Sequence, residues 1–111
     1  MAVDKKATLT YVQLMKEDLA VFRLVPEDGV IPDYETGQFI TLGMPIPSED
    51  NKIIRRAYSI ASHPENKRFI ELVIRWVRKP LPGRVTTALF NAGEGNEVSW
   101  LPPTGAALQI N

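Results

Sequence analysis

Arg55-Arg56-Ala57-Tyr58-Ser59-Ile60-Ala61-Ser62 is the stretch on which the reading of this chain turns. Its composition predicts a strand, and from Arg56 onward alternation puts Arg56, Tyr58, Ile60 and Ser62 on one side and Ala57, Ser59 and Ala61 on the other. Neither side is purely apolar, which is odd for a core strand. A guanidinium, a phenol ring and a hydroxyl so close together can meet a phosphate, a planar ring and a heteroatom of one ligand. His63-Pro64-Glu65-Asn66 ends the strand with turn residues.

Downstream, Phe69 to Val77 is the clearest period-2 segment, with Ile70, Leu72, Ile74 and Trp76 on one face and Glu71 and Arg75 interrupting the other. Lys79-Pro80-Leu81-Pro82-Gly83 breaks it. From Arg84 to Ala92 the period changes: Val85, Ala88, Leu89 and Ala92 fall at i, i+3, i+4 and i+7, and Gly93 supplies a stop. A helix this short needs something to pack against. A last strand is expected from Glu97 to Leu101, followed by a turn at Pro102-Pro103-Thr104-Gly105 and a segment from Ala106 to Ile110.

Upstream, Ala7 to Lys16 and Leu19 to Val25 read as a hairpin joined by Glu17-Asp18, both arms being rich in β-branched and aromatic residues. Pro26-Glu27-Asp28-Gly29 and Ile31-Pro32-Asp33 are turn chemistry. A third strand follows from Gln38 to about Met44, and Pro45 to Lys52 reads as a long exposed loop. Six or so short strands and one late helix predict an all-β barrel or sandwich plugged by a helix, and periodicity does not choose between the two.

Composition narrows the functions. The 111 residues suffice for one domain with a real core. Thirteen Lys and Arg balance thirteen Asp and Glu, so there is no basic footprint for nucleic acid or an anionic membrane. The absence of cysteine removes disulfides, thiolate metal sites and cysteine nucleophiles. No secretory leader is evident, and no apolar run approaches the ~20 residues that cross a bilayer. The expectation is a cytoplasmic protein with neither nucleic acid nor membrane as partner. His63 has no metal-ligand partner at suitable spacing and reads as a turn residue, so no metal site is expected.

Gly83 just before the predicted helix lets backbone approach a ligand, and the first helical amides lack intrahelical partners, which suits a phosphate. Taken alone, Pro82-Gly83 is simply a helix start. Beside Arg56 it reads as half of a diphosphate site.

Arg56-Ala57-Tyr58-Ser59 matches the R-x-Y-S signature of the ferredoxin-NADP reductase family, in the R-A-Y-S form of its bacterial members. Gly83-Arg84-Val85-Thr86-Thr87-Ala88-Leu89 resembles that family's G-x-x-[ST]-x-x-L segment, Gly37-Gln38-Phe39-Ile40 its G-Q-[FY]-[IV] strand start, and Pro103-Thr104-Gly105 its P-x-G turn. These landmarks occur in order over nearly the whole chain. The resemblance implies a six-stranded antiparallel Greek-key barrel with one short capping helix, the family's FAD-binding domain, spanning residues 1–111 as a single domain.

The same resemblance implies site roles. Arg56, the backbone of Gly83, Arg84 and Val85, and Thr86 would hold the FAD pyrophosphate. Tyr58 would lie against the flavin and its ribityl chain, with Ala57 beside it among the cofactor-binding residues, and the Ser59 hydroxyl would face flavin N5 as the residue nearest the chemistry, in a positioning role. Val73-Ile74-Arg75 matches the region that contacts the ring edge or ribityl, although an arginine on a strand, as Arg75 is, is more often solvated or salt-bridged. The family's enzymes continue into an NAD(P)H-binding domain with a glycine-rich turn, and nothing here matches it. The expected activity is transfer of electrons between NAD(P)H and an acceptor, with the reductant-binding half and an electron-transfer protein as partners. A non-catalytic barrel serving as an interaction or regulatory module is the alternative.

Overall fold

Glu17 and Asp18 turn the chain between β1 (Lys5–Lys16) and β2 (Leu19–Pro26), the hairpin expected from the sequence, with Lys16 paired to Leu19 across the turn. The computed structural model describes residues 5–77 and 83–105. β3 (Phe39–Ile46), β4 (Lys52–Ser59), β5 (Ile70–Arg75), α1 (Arg84–Ala92) and β6 (Glu97–Thr104) complete the elements that position the site. All strand pairs are antiparallel, in the spatial order β4-β3-β6-β1-β2-β5. Consecutive β2 and β3 are thus separated by β1 and β6, as Greek-key connections require.

Six antiparallel strands and one helix are as expected, but the strand ladders do not close the sheet into a barrel. Among the described residues the backbone hydrogen bond that joins the β4 and β5 edges comes from beyond β4, the Ala61 N–H donating to the Glu71 carbonyl at 2.8 Å. Further pairing is pre-empted. The Glu71 N–H goes to the Ser62 side-chain hydroxyl at 3.1 Å, and the buried Tyr34 hydroxyl engages the carbonyls of Ser62 and His63 at 3.2 and 2.8 Å. Side chains have taken backbone partners that a ladder would use.

The core follows from alternation. β2 buries every second residue, among them Phe22 and Leu24, while β5 buries Ile70, Leu72 and Ile74. α1 lays Val85 and Leu89 onto this core, and Gly93, with φ 74°, donates its N–H to the Leu89 carbonyl and ends the helix. Phe90 meets Phe22 edge-on at 5.4 Å and stacks on Trp76 at 5.1 Å, so the helix is clamped between core and rim.

Several boundaries move. The predicted loop Pro45 to Lys52 contracts, because β3 runs to Ile46, a 3-10 turn covers Pro47–Glu49 and β4 already starts at Lys52. Asp50 and Asn51 take left-handed φ values of 56° and 60°, which these residue types tolerate, and the Asn51 N–H closes the turn on the Ile46 carbonyl. β4 ends at Ser59, not Ser62, and β5 is shorter than Phe69 to Val77. β6 runs on through Pro102 and Pro103 to Thr104, with a register shift opposite Phe39 to Thr41 absorbing the irregularity. The expected segment Ala106 to Ile110 lies outside the described residues. Among the described residues no helix is long and apolar enough to cross a membrane.

Candidate functional site

Among the described residues β4 pairs with β3 alone, Arg56 opposite Leu42, Ala57 opposite Thr41 and Tyr58 opposite Ile40. Tyr58 and Ile60 rest half-buried against the core, whereas Arg56, Ala57 and Ser59 are exposed. The mixed character of this stretch is therefore that of a sheet edge that borders a cleft.

The opposite wall is the amino end of α1, fastened to the end of β5 by three hydrogen bonds. The Trp76 indole N–H donates to Thr87 Oγ1 at 2.9 Å, the Val77 N–H to Thr86 Oγ1 at 3.3 Å, and the Gly83 N–H to the Val77 carbonyl at 2.7 Å. The Thr86 hydroxyl itself donates to the Gly83 carbonyl at 3.3 Å and is buried. A Cβ on Gly83 would stand 2.7 Å from Thr86 Oγ1 and 3.1 Å from Val77 Cβ, so this turn is built around the missing side chain.

Between the walls is a cleft of about 380 Å³. β4 contributes Arg56, Ala57 and Tyr58, the chain after β5 contributes Val77 next to Arg75, and the helix start contributes Gly83 to Thr86. The structure thus brings together eight of the residues singled out from the sequence: Arg56, Ala57, Tyr58, Arg75, Gly83, Arg84, Val85 and Thr86. Ser59, Val73 and Ile74 do not line it. Ser59 sits one position beyond Tyr58 at the end of β4, Val73 is exposed, and the Ile74 side chain is in the core. Val77 was missed, although alternation from Arg75 marks it as the next residue on that face.

The electrostatics favour an anion. Gly83 caps α1 without a side-chain acceptor, no acidic residue occupies the first turn, and the Thr87 N–H makes the first helical bond back to the Gly83 carbonyl. The amides of Arg84, Val85 and Thr86 therefore precede the helical ladder at its positive end. Among the described residues three guanidiniums line the cleft and no carboxylate does. Two are held from outside it, Arg75 by Asp18 at 3.0 Å and Arg84 by Glu49 at 2.6 Å, while Arg56 donates to the Arg55 carbonyl at 2.8 Å. Burial pushes the Tyr58 phenol above its ordinary range, against an opposing pull from the Arg56 charge.

The fold is that of the flavin domain in proteins of the ferredoxin-NADP reductase type. It superposes on the FAD/NAD-binding domain of nitric oxide dioxygenase from Vibrio cholerae with a TM-score of 0.83 at 24% identity, over 96% of this chain and 46% of that one. For a ferredoxin NADP+ reductase from Neisseria gonorrhoeae, solved with bound FAD and NADP, the TM-score is 0.77 at 20% identity, over 96% of this chain and 40% of that one. The ferredoxin reductase in carbazole 1,9a-dioxygenase gives 0.74 at 26% identity, over 93% and 29%. This chain spans less than half the length of each. The chain belongs to the oxidoreductase FAD-binding domain family, whose model matches residues 6–108, and FAD is that family's cofactor. None of the curated proteins matches it.

The cleft's residues suit FAD. Cationic side chains and open helical amides can meet a diphosphate, and a half-buried phenol beside them offers a planar, partly apolar surface to a ring system.

Proposed function

We propose that the cleft binds FAD through its diphosphate and that the domain passes electrons between NAD(P)H, held by a second domain, and an acceptor. The observation that carries this reading is the convergence of Arg56 with the amino end of α1 across one cleft. Arg56 and the amides of Arg84 to Thr86 take the phosphate oxygens. The Thr86 hydroxyl is engaged with Gly83 and Val77, so its part is to shape the turn while its amide faces the anion.

Ala57 and Tyr58 form the surface for the flavin end, with Arg75 at its rim. Ser59, exposed next to Tyr58, presents a hydroxyl to orient the ring near N5. Val73 enters through its backbone, which alternation from Glu71 turns to the edge of β5 away from β2, with Ile74 behind it in the core. FAD, when bound, supplies the acceptance of hydride and the onward release of electrons. The chain's own residues bind it, orient it and limit its contact with water.

The test is titration of the purified protein with FAD, followed by flavin fluorescence and by the visible bands that survive desalting. Saturable binding that weakens in Arg56→Ala is expected. A folded protein that ignores FAD at high micromolar concentration removes the reading.

A further inference from the structure

A groove between the β1–β2 hairpin and the carboxyl half of α1 has no lining residue in common with the flavin cleft. It measures about 600 Å³, within the roughly 300–1,000 Å³ typical of ligand clefts. Its origin is an uncovered end of the core. A register shift between Leu9 and Tyr11 sets Val12 opposite the buried Phe22 and Leu14 opposite the buried Ala20, so both side chains lie on the core side of the sheet. Phe90 covers Phe22, but the helix stops at Gly93 and leaves Leu14 61% exposed.

Trp76, half-buried, adds a rigid aromatic surface. Its indole N–H is fixed on Thr87, its ring on Phe90, and its backbone N–H on the Asp18 carbonyl at 2.7 Å. Glu17 and Glu94, both exposed, bring negative charge, and among the described residues no cationic side chain lines the groove. The Val12 N–H holds the Glu94 carboxylate in place at 2.9 Å.

We infer that this groove docks a segment of a partner protein that carries bulky apolar side chains next to lysine or arginine. An apolar side chain seated on Val12, Leu14 and Phe90 completes the burial that the helix leaves unfinished, and a pre-fixed indole lowers the ordering cost of binding. Charge complementarity decides the rest of the partner. Two carboxylates and the faces of two aromatic rings attract a cation, and the carboxylates repel an acidic segment. The inference stands apart from the FAD reading, since the two clefts can be filled at once.

Three tetrapeptides test it: acetyl-Lys-Leu-Leu-Lys-amide, its Glu-Leu-Leu-Glu counterpart and its Lys-Ser-Ser-Lys counterpart, each titrated into the whole chain with tryptophan fluorescence and calorimetry as readouts. Saturable binding of the first is expected, at least about tenfold tighter than either control and weakened by added salt. Leu14→Ser, and Glu17→Gln combined with Glu94→Gln, should each weaken the first peptide about threefold to tenfold. All three positions are exposed, and glutamine at 94 keeps an acceptor for the Val12 N–H. No saturable binding at millimolar concentration, equal binding of either control, or an affinity unchanged in both variants overturns the inference. So does a dimer in sedimentation that Leu14→Ser dissolves, because a second copy of the chain then fills the groove.

Discussion

The Arg84 guanidinium donates from Nη1 to both carboxylate oxygens of Glu49, at 2.6 and 2.8 Å, joining the first residue of α1 to the β3–β4 turn 35 residues earlier. Both side chains keep substantial solvent contact, 47% and 31% exposed, so the pair contributes only about 0–1 kcal/mol to stability. Its larger effect is on the cleft, where Glu49 draws off charge that would otherwise face an incoming phosphate. Glu49→Gln is therefore expected to leave thermal unfolding nearly unchanged and to tighten FAD binding by a factor of about three to ten. Calorimetric titration measures this, and weaker binding in Glu49→Gln would show that the ion pair orients Arg84 and does not withhold it.

Arg56 is the cleft arginine whose observed partner is a backbone carbonyl, and it stands beside the half-buried Tyr58. Loss of a charge-assisted phosphate contact costs about 1.5–3 kcal/mol, so Arg56→Ala should weaken FAD by roughly ten- to a hundredfold. Arg56→Lys should recover part of the loss, because an ammonium keeps the charge but not the planar fork. Unchanged affinity in Arg56→Ala would remove this residue from the site.

The phenol of Tyr58 is harder to ionise in the folded chain than in the unfolded one, and burial is the dominant cause. Its folded value is raised above the ordinary 10.0. Above that pH the unfolded chain has already released the proton while the folded chain still holds it, so stability present at lower pH is lost as pH rises through the folded value. Denaturant unfolding at a series of alkaline pH values should show this loss, and Tyr58→Phe should reduce it. An identical alkaline slope in Tyr58→Phe would assign the loss to other groups.

Tyr34 is 7% exposed, and its hydroxyl reaches the His63 carbonyl, the Ser62 carbonyl and the Ser62 hydroxyl. This cluster replaces the missing β4–β5 ladder. Tyr34→Phe leaves those groups short of a partner and should destabilise the fold by about 1–3 kcal/mol. Hydrogen exchange should quicken at Ala61 and Glu71 before the rest of the sheet, whereas a uniform change would mean that the contact is merely global packing.

Gly105 lies against the Phe39 ring with φ 94°, and a Cβ there would approach Cε1 to 2.6 Å. Gly105→Ala combines an unfavourable backbone region with a clash, and a loss of about 1–3 kcal/mol is expected. The Gln38 side chain also holds the Gly105 carbonyl, at 3.0 Å. Unfolding curves that match those of the unaltered protein would show that the end of β6 relaxes freely.

The elements easiest to read were those in which local pattern and packing agree. α1 spans Arg84–Ala92 as its i, i+3, i+4 spacing and Gly93 indicate, and β5 buries Ile70, Leu72 and Ile74 on the face that alternation selects. The misplaced boundaries fall where proline or turn residues sit inside a ladder. Pro45 and Pro102-Pro103 read as breaks, yet β3 and β6 continue through them, because a proline costs little where its missing N–H has no ladder partner to satisfy.

By itself the amino-acid sequence determined the all-β class, the helix and the constellation of Arg56, Tyr58 and the Gly83 turn, since these rest on periodicity and on the chemistry of short segments. Tertiary structure decided what depends on residues distant in the chain. It brought Arg75 and Val77 to the cleft but not Ser59, Val73 or Ile74, gave Arg84 to Glu49, spent the Thr86 hydroxyl on its own turn and left the sheet unclosed at the Tyr34 cluster. The physical reason is that hydrogen bonds and ion pairs across tens of residues leave no local pattern, and only the packed chain selects among the available partners.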